Sequence, residues 1–186
     1  VLDLSRIEAG KLAVRHELLD VVEVCDRAIQ AVSPLATRKG LTLTVDIHER
    51  LNRHRMGDAL RLTQVLINLL ANACKFTDHG RVSLKVRPMD HDEVVFEVDD
   101  TGMGMSPEVQ QRVFDAFYQA DHESTRRHGG VGLGLTITRD LIVLMGGRLE
   151  IASTPDQGTR IRVHVPLALV QGQRQSGLIS QSRPYD

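Results

Sequence analysis

A chain of 186 residues, 41% hydrophobic and 25% charged, has the make-up of a soluble globular protein and suits one domain with short flanks. Its net charge of -1, with no basic run, argues against nucleic acid as a main partner. No apolar run approaches the ~18 residues of a membrane span, and no signal peptide opens the sequence. Cys25 and Cys74 lie in helical patterns without metal-ligand spacing and read as buried free thiols of a reducing compartment. The eight His residues are scattered and form no HExxH or Cys/His array.

In chain order, VLDLSRIEAGKL reads as the last turns of a helix, with Leu4, Ile7 and Leu12 as its apolar stripe and Gly10-Lys11 as its fraying end. A helical piece this short is marginal alone, so it reads as half of a hairpin. A second helix is predicted over Asp20–Lys39. Asp20 caps it, Glu23 completes a capping box, Gly40 closes it, and Pro34 bends or shortens it. Leu41–Ile47 switches to period two, a strand with Leu41, Leu43, Val45 and Ile47 inward. Further strands are predicted at Arg81–Arg87 and Glu93–Val98, joined by the turn Pro88–Asp92, and at Arg148–Ala152 and Thr159–Val165. This order suits an α+β two-layer sandwich: one mixed sheet of about five strands, covered on one face by about three helices.

Between the first strand and the hairpin lies Asp58–Thr77, a long amphipathic helix. Leu62, Leu66, Leu69, Leu70 and Ala73 share the core-facing arc. Gln64, Asn68, Asn72 and Lys75 share another arc, about 130° away by the 3.6-residue period. Solvated helix faces favour Glu, Lys and Arg over Asn, which has poor helix propensity. The row therefore reads either as a ligand site on a rigid element or as a plain wet surface.

Two glycine-bearing stretches follow. Asp99-Asp100-Thr101-Gly102-Met103-Gly104 sits where a strand ends. There, a carboxylate beside close-approach backbone can read an exocyclic amine such as that of adenine, or the stretch is a tight turn. Gly129-Gly130-Val131-Gly132-Leu133-Gly134 opens a helix through Thr136–Met145, and glycine-rich backbone at a helix N-terminus is a phosphate cradle. It is no P-loop, since GxxxxGK[ST] is absent. It is no dinucleotide turn either, since Ser124–His128 is not a hydrophobic strand. Between the two, Ser106–His128 is a long polar insert carrying Phe114, Phe117 and Tyr118, read as a mobile lid with an aromatic anchor.

Together these stretches resemble the catalytic ATP-binding domain of bacterial sensor histidine kinases, in the GHKL superfamily. Asn68 to Thr77 is similar to that family's N box, and Asp100-Thr101-Gly102-Met103-Gly104 to its G1 box. Phe114-Asp115-Ala116-Phe117 is similar to its F box, and Gly130-Val131-Gly132-Leu133-Gly134-Leu135 to its G2 box. The resemblance implies ATP and Mg²⁺ as ligands. Asp100 would read adenine, with Gly102 and Gly104 closing over the base, Thr159 supporting the carboxylate through water, and Phe76 beside the base. Asn72 would hold Mg²⁺ through its side-chain oxygen. Asn68 and Lys75 would lie near the phosphates, the backbone of residues 130–134 would face them, and Arg126 would reach the γ-phosphate. Residues 1–13 would be the end of the dimerisation and histidine-phosphotransfer hairpin, 14–169 the catalytic domain and 170–186 a disordered linker.

The resemblance also implies a histidine kinase, of the hybrid type, whose acceptor His lies upstream on the hairpin. His16 lacks the acidic neighbour and helical setting of that motif and is rejected. Implied partners are that hairpin and a downstream receiver domain or response regulator. The full-length protein would be a cytoplasmic homodimer, anchored to the inner membrane, if at all, by other segments, and the fragment a monomer. Val131 departs from the family's Thr, with modest weakening of phosphate binding expected. Asn68 stands where related GHKL ATPases carry a water-activating Glu, and an amide cannot take a proton at neutral pH. That favours phosphotransfer over hydrolysis. The alternatives are a GHKL ATPase, distinguished by steady hydrolysis, and a nucleotide-sensing module.

Overall fold

The computed structural model describes residues 12–90, 92–115 and 134–170. The elements run β1 (Glu17–Asp20), α1 (Val21–Lys39), β2 (Thr42–Ile47), β3 (His54–Gly57), α2 (Ala59–Phe76), β4 (Arg81–Asp90) and β5 (Glu93–Asp100). Then follow α3 (Pro107–Arg112), α4 (Gly134–Leu144), β6 (Arg148–Thr154), β7 (Gly158–Pro166) and β8 (Ala168–Leu169). Five strands form the main sheet in the order β2-β4-β5-β7-β6. β2 runs parallel to β4 and every other neighbouring pair is antiparallel. The expected mixed sheet under helices is the architecture found.

Alternation along the strands separates two faces. Val82, Leu84 and Val86 of β4 and Phe96 and Val98 of β5 join Val163 and Val165 of β7 in the core. Against them lie Val24 and Ala28 of α1, Leu62, Leu66, Leu69 and Leu70 of α2, and Leu141 and Ile142 of α4. The opposite face carries interleaved charges instead. Lys85 Nζ lies 3.2 Å from Glu97, Arg162 Nε 2.7 Å from Glu97, and Arg160 Nε 3.0 Å from Asp99. One face thus packs under helices and the other is solvated.

Several expectations shift in detail. Asp20 caps α1, accepting from the backbone N–H of Val22 at 2.9 Å and of Glu23 at 3.4 Å. The Glu23 side chain accepts from Arg27 one turn on, so the cap has an ion pair where the box was expected. Pro34 does not shorten α1, which continues to Lys39 before Gly40 turns left-handed at φ 66°. Val45 shares the face of Leu43 and Ile47, each opposite a core residue of β4, but β2 is an edge strand and leaves Val45 exposed while Leu43 and Ile47 are half-buried. The turn expected at Pro88–Asp92 is mostly strand, with the register shifting between Pro88 and Asp90, where proline lacks a donor for the ladder. Leu12 has no helical backbone and is buried in the core.

A second sheet was not anticipated. β3 pairs antiparallel with β1 on one side and β8 on the other. These strands hold four, four and two residues, too short for a periodic signal, and Leu18 on β1 is exposed. Buried Arg55 ties the sheet together by donating to the carbonyls of Asn52 at 3.0 Å and Leu167 at 3.2 Å. Among the described residues no helix is long and apolar enough to cross a membrane.

Candidate functional site

β5 runs through Asp99 to Asp100, two residues further than the sequence pattern suggested. Asp100 therefore continues the inward row of Val94, Phe96 and Val98, while Asp99 points out to Arg160. The Asp100 carboxylate is only 9% exposed. Burial pushes its pKa above the ordinary carboxylate value, against the backbone N–H groups of Gly102 and Thr159 that pull it back. The Gly102 N–H donates to Asp100 Oδ1 at 2.8 Å. A charged acceptor on the core side of a sheet has no role in packing, and that marks a site.

The turn after β5 folds onto the end of α2. Met103 N–H donates to the carbonyl of Phe76 at 3.2 Å. A side chain at Gly102 would collide with that carbonyl and crowd Thr77 Oγ1 and Asp100 Oδ1, so only glycine fits. Gly104, at φ 63°, leaves no room for a side chain against the carbonyl of Thr154. Thr77 Oγ1 is fully buried beside the carboxylate, yet makes no well-formed hydrogen bond among the described residues. A buried carboxylate with the Thr77 hydroxyl beside it, helping to hold its pKa down, in a corner kept open by glycine, suits a planar ligand with donors and acceptors on one edge.

Thr159 lies directly opposite Asp100 in the ladder. Its hydroxyl is 2.8 Å from Ser153 Oγ, which also accepts from Met105 N–H at 2.8 Å and donates to the carbonyl of Gly158 at 3.0 Å. Thr159 thus secures the turn as well as neighbouring the carboxylate. Lys75 and Phe76 are half-buried on the last turn of α2, with Lys75 Nζ 5.0 Å from the centre of the Phe76 ring. Burial lowers the Lys75 pKa from its ordinary value.

Further up α2, Asn68 and Asn72 are half-buried, one turn apart. Asn68 Nδ2 donates to Thr138 Oγ1 of α4 at 2.6 Å. A side chain at Gly134, the first residue of α4, would come within 2.8 Å of Asn68 Oδ1. The middle of α2 therefore meets the end of the glycine motif, as its C-terminus meets the Asp100 turn. Beside Asn68 opens a groove of about 570 Å³ lined by Ile67, Ile137 and Leu141. Arg61, Gln64, Asn68 and Thr138 line the same groove, so apolar and polar groups share it.

Arg126, Gly130, Val131, Gly132 and Leu133 lie outside the described residues, as do Phe117, Tyr118 and residues 1–11. Phe114 is described, and its carbonyl accepts from Thr136 Oγ1 at 3.1 Å, joining the described chain on either side of residues 116–133. Sequence reading assigned no role to Thr77, Thr138 or Ser153. Thr77 had a usable signal, since a hydroxyl at the end of the polar row stands beside the carboxylate in the fold. Thr138 and Ser153 are legible only once α4 and β6 are in place. No group of three or more His, Cys, Asp or Glu side chains placed to hold a metal ion occurs among the described residues. A lone amide oxygen from Asn72 fits Mg²⁺, which keeps water and phosphate oxygens and takes few protein ligands.

The family described as histidine kinase-, DNA gyrase B- and HSP90-like ATPase matches residues 57–169. The chain is similar to the signal transduction histidine-protein kinase BarA of Escherichia coli (strain K12), 39% identical over 173 residues that cover 91% of this chain and 19% of that protein. It is similar to the sensor protein GacS of Pseudomonas syringae pv. syringae, 35% identical over 182 residues, 96% of this chain and 20% of that protein. It spans about a fifth of the length of these curated relatives. Among solved structures, full-length ShkA in complex with AMPPNP matches with a TM-score of 0.78 and 32% identity, over 91% of this chain and 35% of that one. With more than half its length matched, the chain belongs to the histidine kinase-, DNA gyrase B- and HSP90-like ATPase family, as an ATP-binding catalytic domain of the sensor histidine kinase kind.

Proposed function

We propose that this domain binds ATP with Mg²⁺ and passes the γ-phosphate to a histidine on a helical hairpin outside the described residues. One observation supports this above the others. The Asp100 turn meets α2 at Phe76, and the glycine motif meets it at Asn68. Those contacts are eight residues apart, about 12 Å of helix at the usual rise per residue, a span on the scale of a nucleoside triphosphate. Adenine would sit at Asp100 and Thr77, with Phe76 at its side and Gly102 and Gly104 over it. The phosphates would lie along Asn72 and Lys75 toward Asn68 and the backbone of residues 130–134, and Arg126 would reach the γ-phosphate.

Bound at Asn72, Mg²⁺ would supply charge neutralisation for the phosphates. The residues of the chain position and screen, which is most of what phosphoryl transfer asks of a protein. A neutral imidazole nitrogen attacks the γ-phosphorus, the bond to the β-phosphate oxygen breaks, and ADP leaves. No general base is needed here. Asn68 supplies none, its amide donating to Thr138 Oγ1. That favours transfer over steady hydrolysis. AMPPNP in the complex with ShkA supports the nucleotide class. A relative named as a signal transduction histidine-protein kinase supports the reaction class; the reading carries with it a hairpin and a receiver domain or response regulator as partners, and a cytoplasmic dimer as the full-length form.

The test is direct. The chain should bind ATP only weakly without Mg²⁺ and tightly with it, and Asn72→Ala should abolish the difference. It should not label itself from γ-labelled ATP, and adding a hairpin that carries an acceptor His should produce label on the hairpin. Self-labelling of the chain, or steady hydrolysis lost in Asn68→Ala, would overturn the assignment.

A further inference from the structure

α2 ends without the left-handed glycine that closes α1. Thr77 continues in extended backbone at φ -107° and ψ 118°. A glycine at 77 would have removed the hydroxyl beside Asp100, so the site itself rules out the ordinary terminator. The last carbonyls of a helix lack intrahelical donors and must find others. Here one side chain from another helix takes them up. Lys39, the last residue of α1, places Nζ 3.1 Å from the carbonyl oxygen of Cys74, 2.7 Å from that of Lys75 and 3.0 Å from that of Thr77. Asp78 Oδ1 is a fourth oxygen at 3.3 Å. The Lys39 side chain is only 20% exposed, and its charge sits at the negative end of the α2 dipole. Phe76, whose carbonyl Lys39 does not take, keeps that oxygen for Met103 N–H.

We infer that Lys39 is a positioning residue for the nucleotide site. Its ammonium group closes α2 and so sets Lys75, Phe76 and Thr77 against the Asp100–Met103 turn. The inference rests on the nucleotide reading of that site. Three carbonyls and a carboxylate around a nitrogen also form the oxygen shell of a small monovalent cation, so a free ammonium ion can substitute when the side chain is cut back.

The experiment titrates a fluorescent adenine nucleotide with Mg²⁺ into the parent chain, Lys39→Ala, Lys39→Met and Lys39→Arg. Both uncharged variants should bind about tenfold more weakly, the scale of losing hydrogen bonds from a charged donor. Ammonium chloride should restore at least threefold of that loss in Lys39→Ala, relative to tetramethylammonium chloride at equal ionic strength, about the share a mobile ion can recover. It should do nothing for Lys39→Met, whose side chain fills the space. A merely structural lysine would not respond to the ion. Lys39→Arg guards against misfolding: it keeps the charge and should melt with the parent, yet bind less tightly, because a planar guanidinium cannot converge on three carbonyls. Parent-like affinity in Lys39→Met or Lys39→Arg, or a loss in Lys39→Ala that ammonium does not relieve, would overturn the inference alone. A parent chain that bound no nucleotide would overturn the site reading, and this role with it.

Discussion

In the proposed reading, Asp100 would serve binding at the expense of the nucleotide-free fold. Burial raises its pKa above the ordinary value of 3.8, so the folded chain holds that proton more tightly than the unfolded chain does. Its contribution to stability is therefore fullest below 3.8 and declines as pH rises through the raised folded value. Asp100→Asn removes the buried charge while keeping an oxygen for Gly102 N–H. The nucleotide-free variant should melt no lower than the parent at neutral pH and should lose this part of the pH dependence, as read by urea unfolding across the acid range. Its affinity for adenine nucleotide should fall about 10- to 100-fold, since a hydrogen bond to a charged group is worth about 1.5–3 kcal/mol. A variant that binds as the parent does would show that the carboxylate does not read the base.

At the scale of elements, α2 joins core and site. Leu66 is fully buried on one face, and Asn68 and Asn72 lie half-buried on another. Leu66→Ala should cost about 2–5 kcal/mol in urea unfolding, from lost burial and the cavity left behind, and a loss under 1 kcal/mol would mean that the core is looser than its packing implies. The helix was legible in full, Asp58 capping its start and Thr77 standing just past its end, because eighteen residues repeat one amphipathic period. The α1 caps at Asp20 and Gly40 were legible for the same local reasons. Errors gathered where tertiary neighbours decide. Val45 faces the core side as its alternation implies, but β2 is an edge and leaves it exposed. Glu23 stands at capping-box spacing, but Arg27 offers it a charge. The short strands β1, β3 and β8 pair across the whole length of the chain, which no local window can show. In the site, the segments were readable from their residue types. The contacts that join them, Asn68 to Thr138 and Phe76 to Met103, were not.

For the whole molecule, the sheet separates two environments, and the candidate site lies at the end of its central strand, where the inward row of β5 leaves the core. The hydrogen bond from Thr136 to the carbonyl of Phe114 has a consequence for everything threaded between them. Among the described residues, that bond joins the chain on either side of residues 116–133. Exchanging residues 116–133 for a short Gly-Ser bridge should leave the melting temperature within a few degrees, since closure entropy changes only with the logarithm of length. A drop of more than about 10 °C, several kcal/mol for a domain of this size, would mean that those residues brace the core. If that bridge is tolerated, changes of length or composition within 116–133 should alter nucleotide affinity without altering the melting temperature.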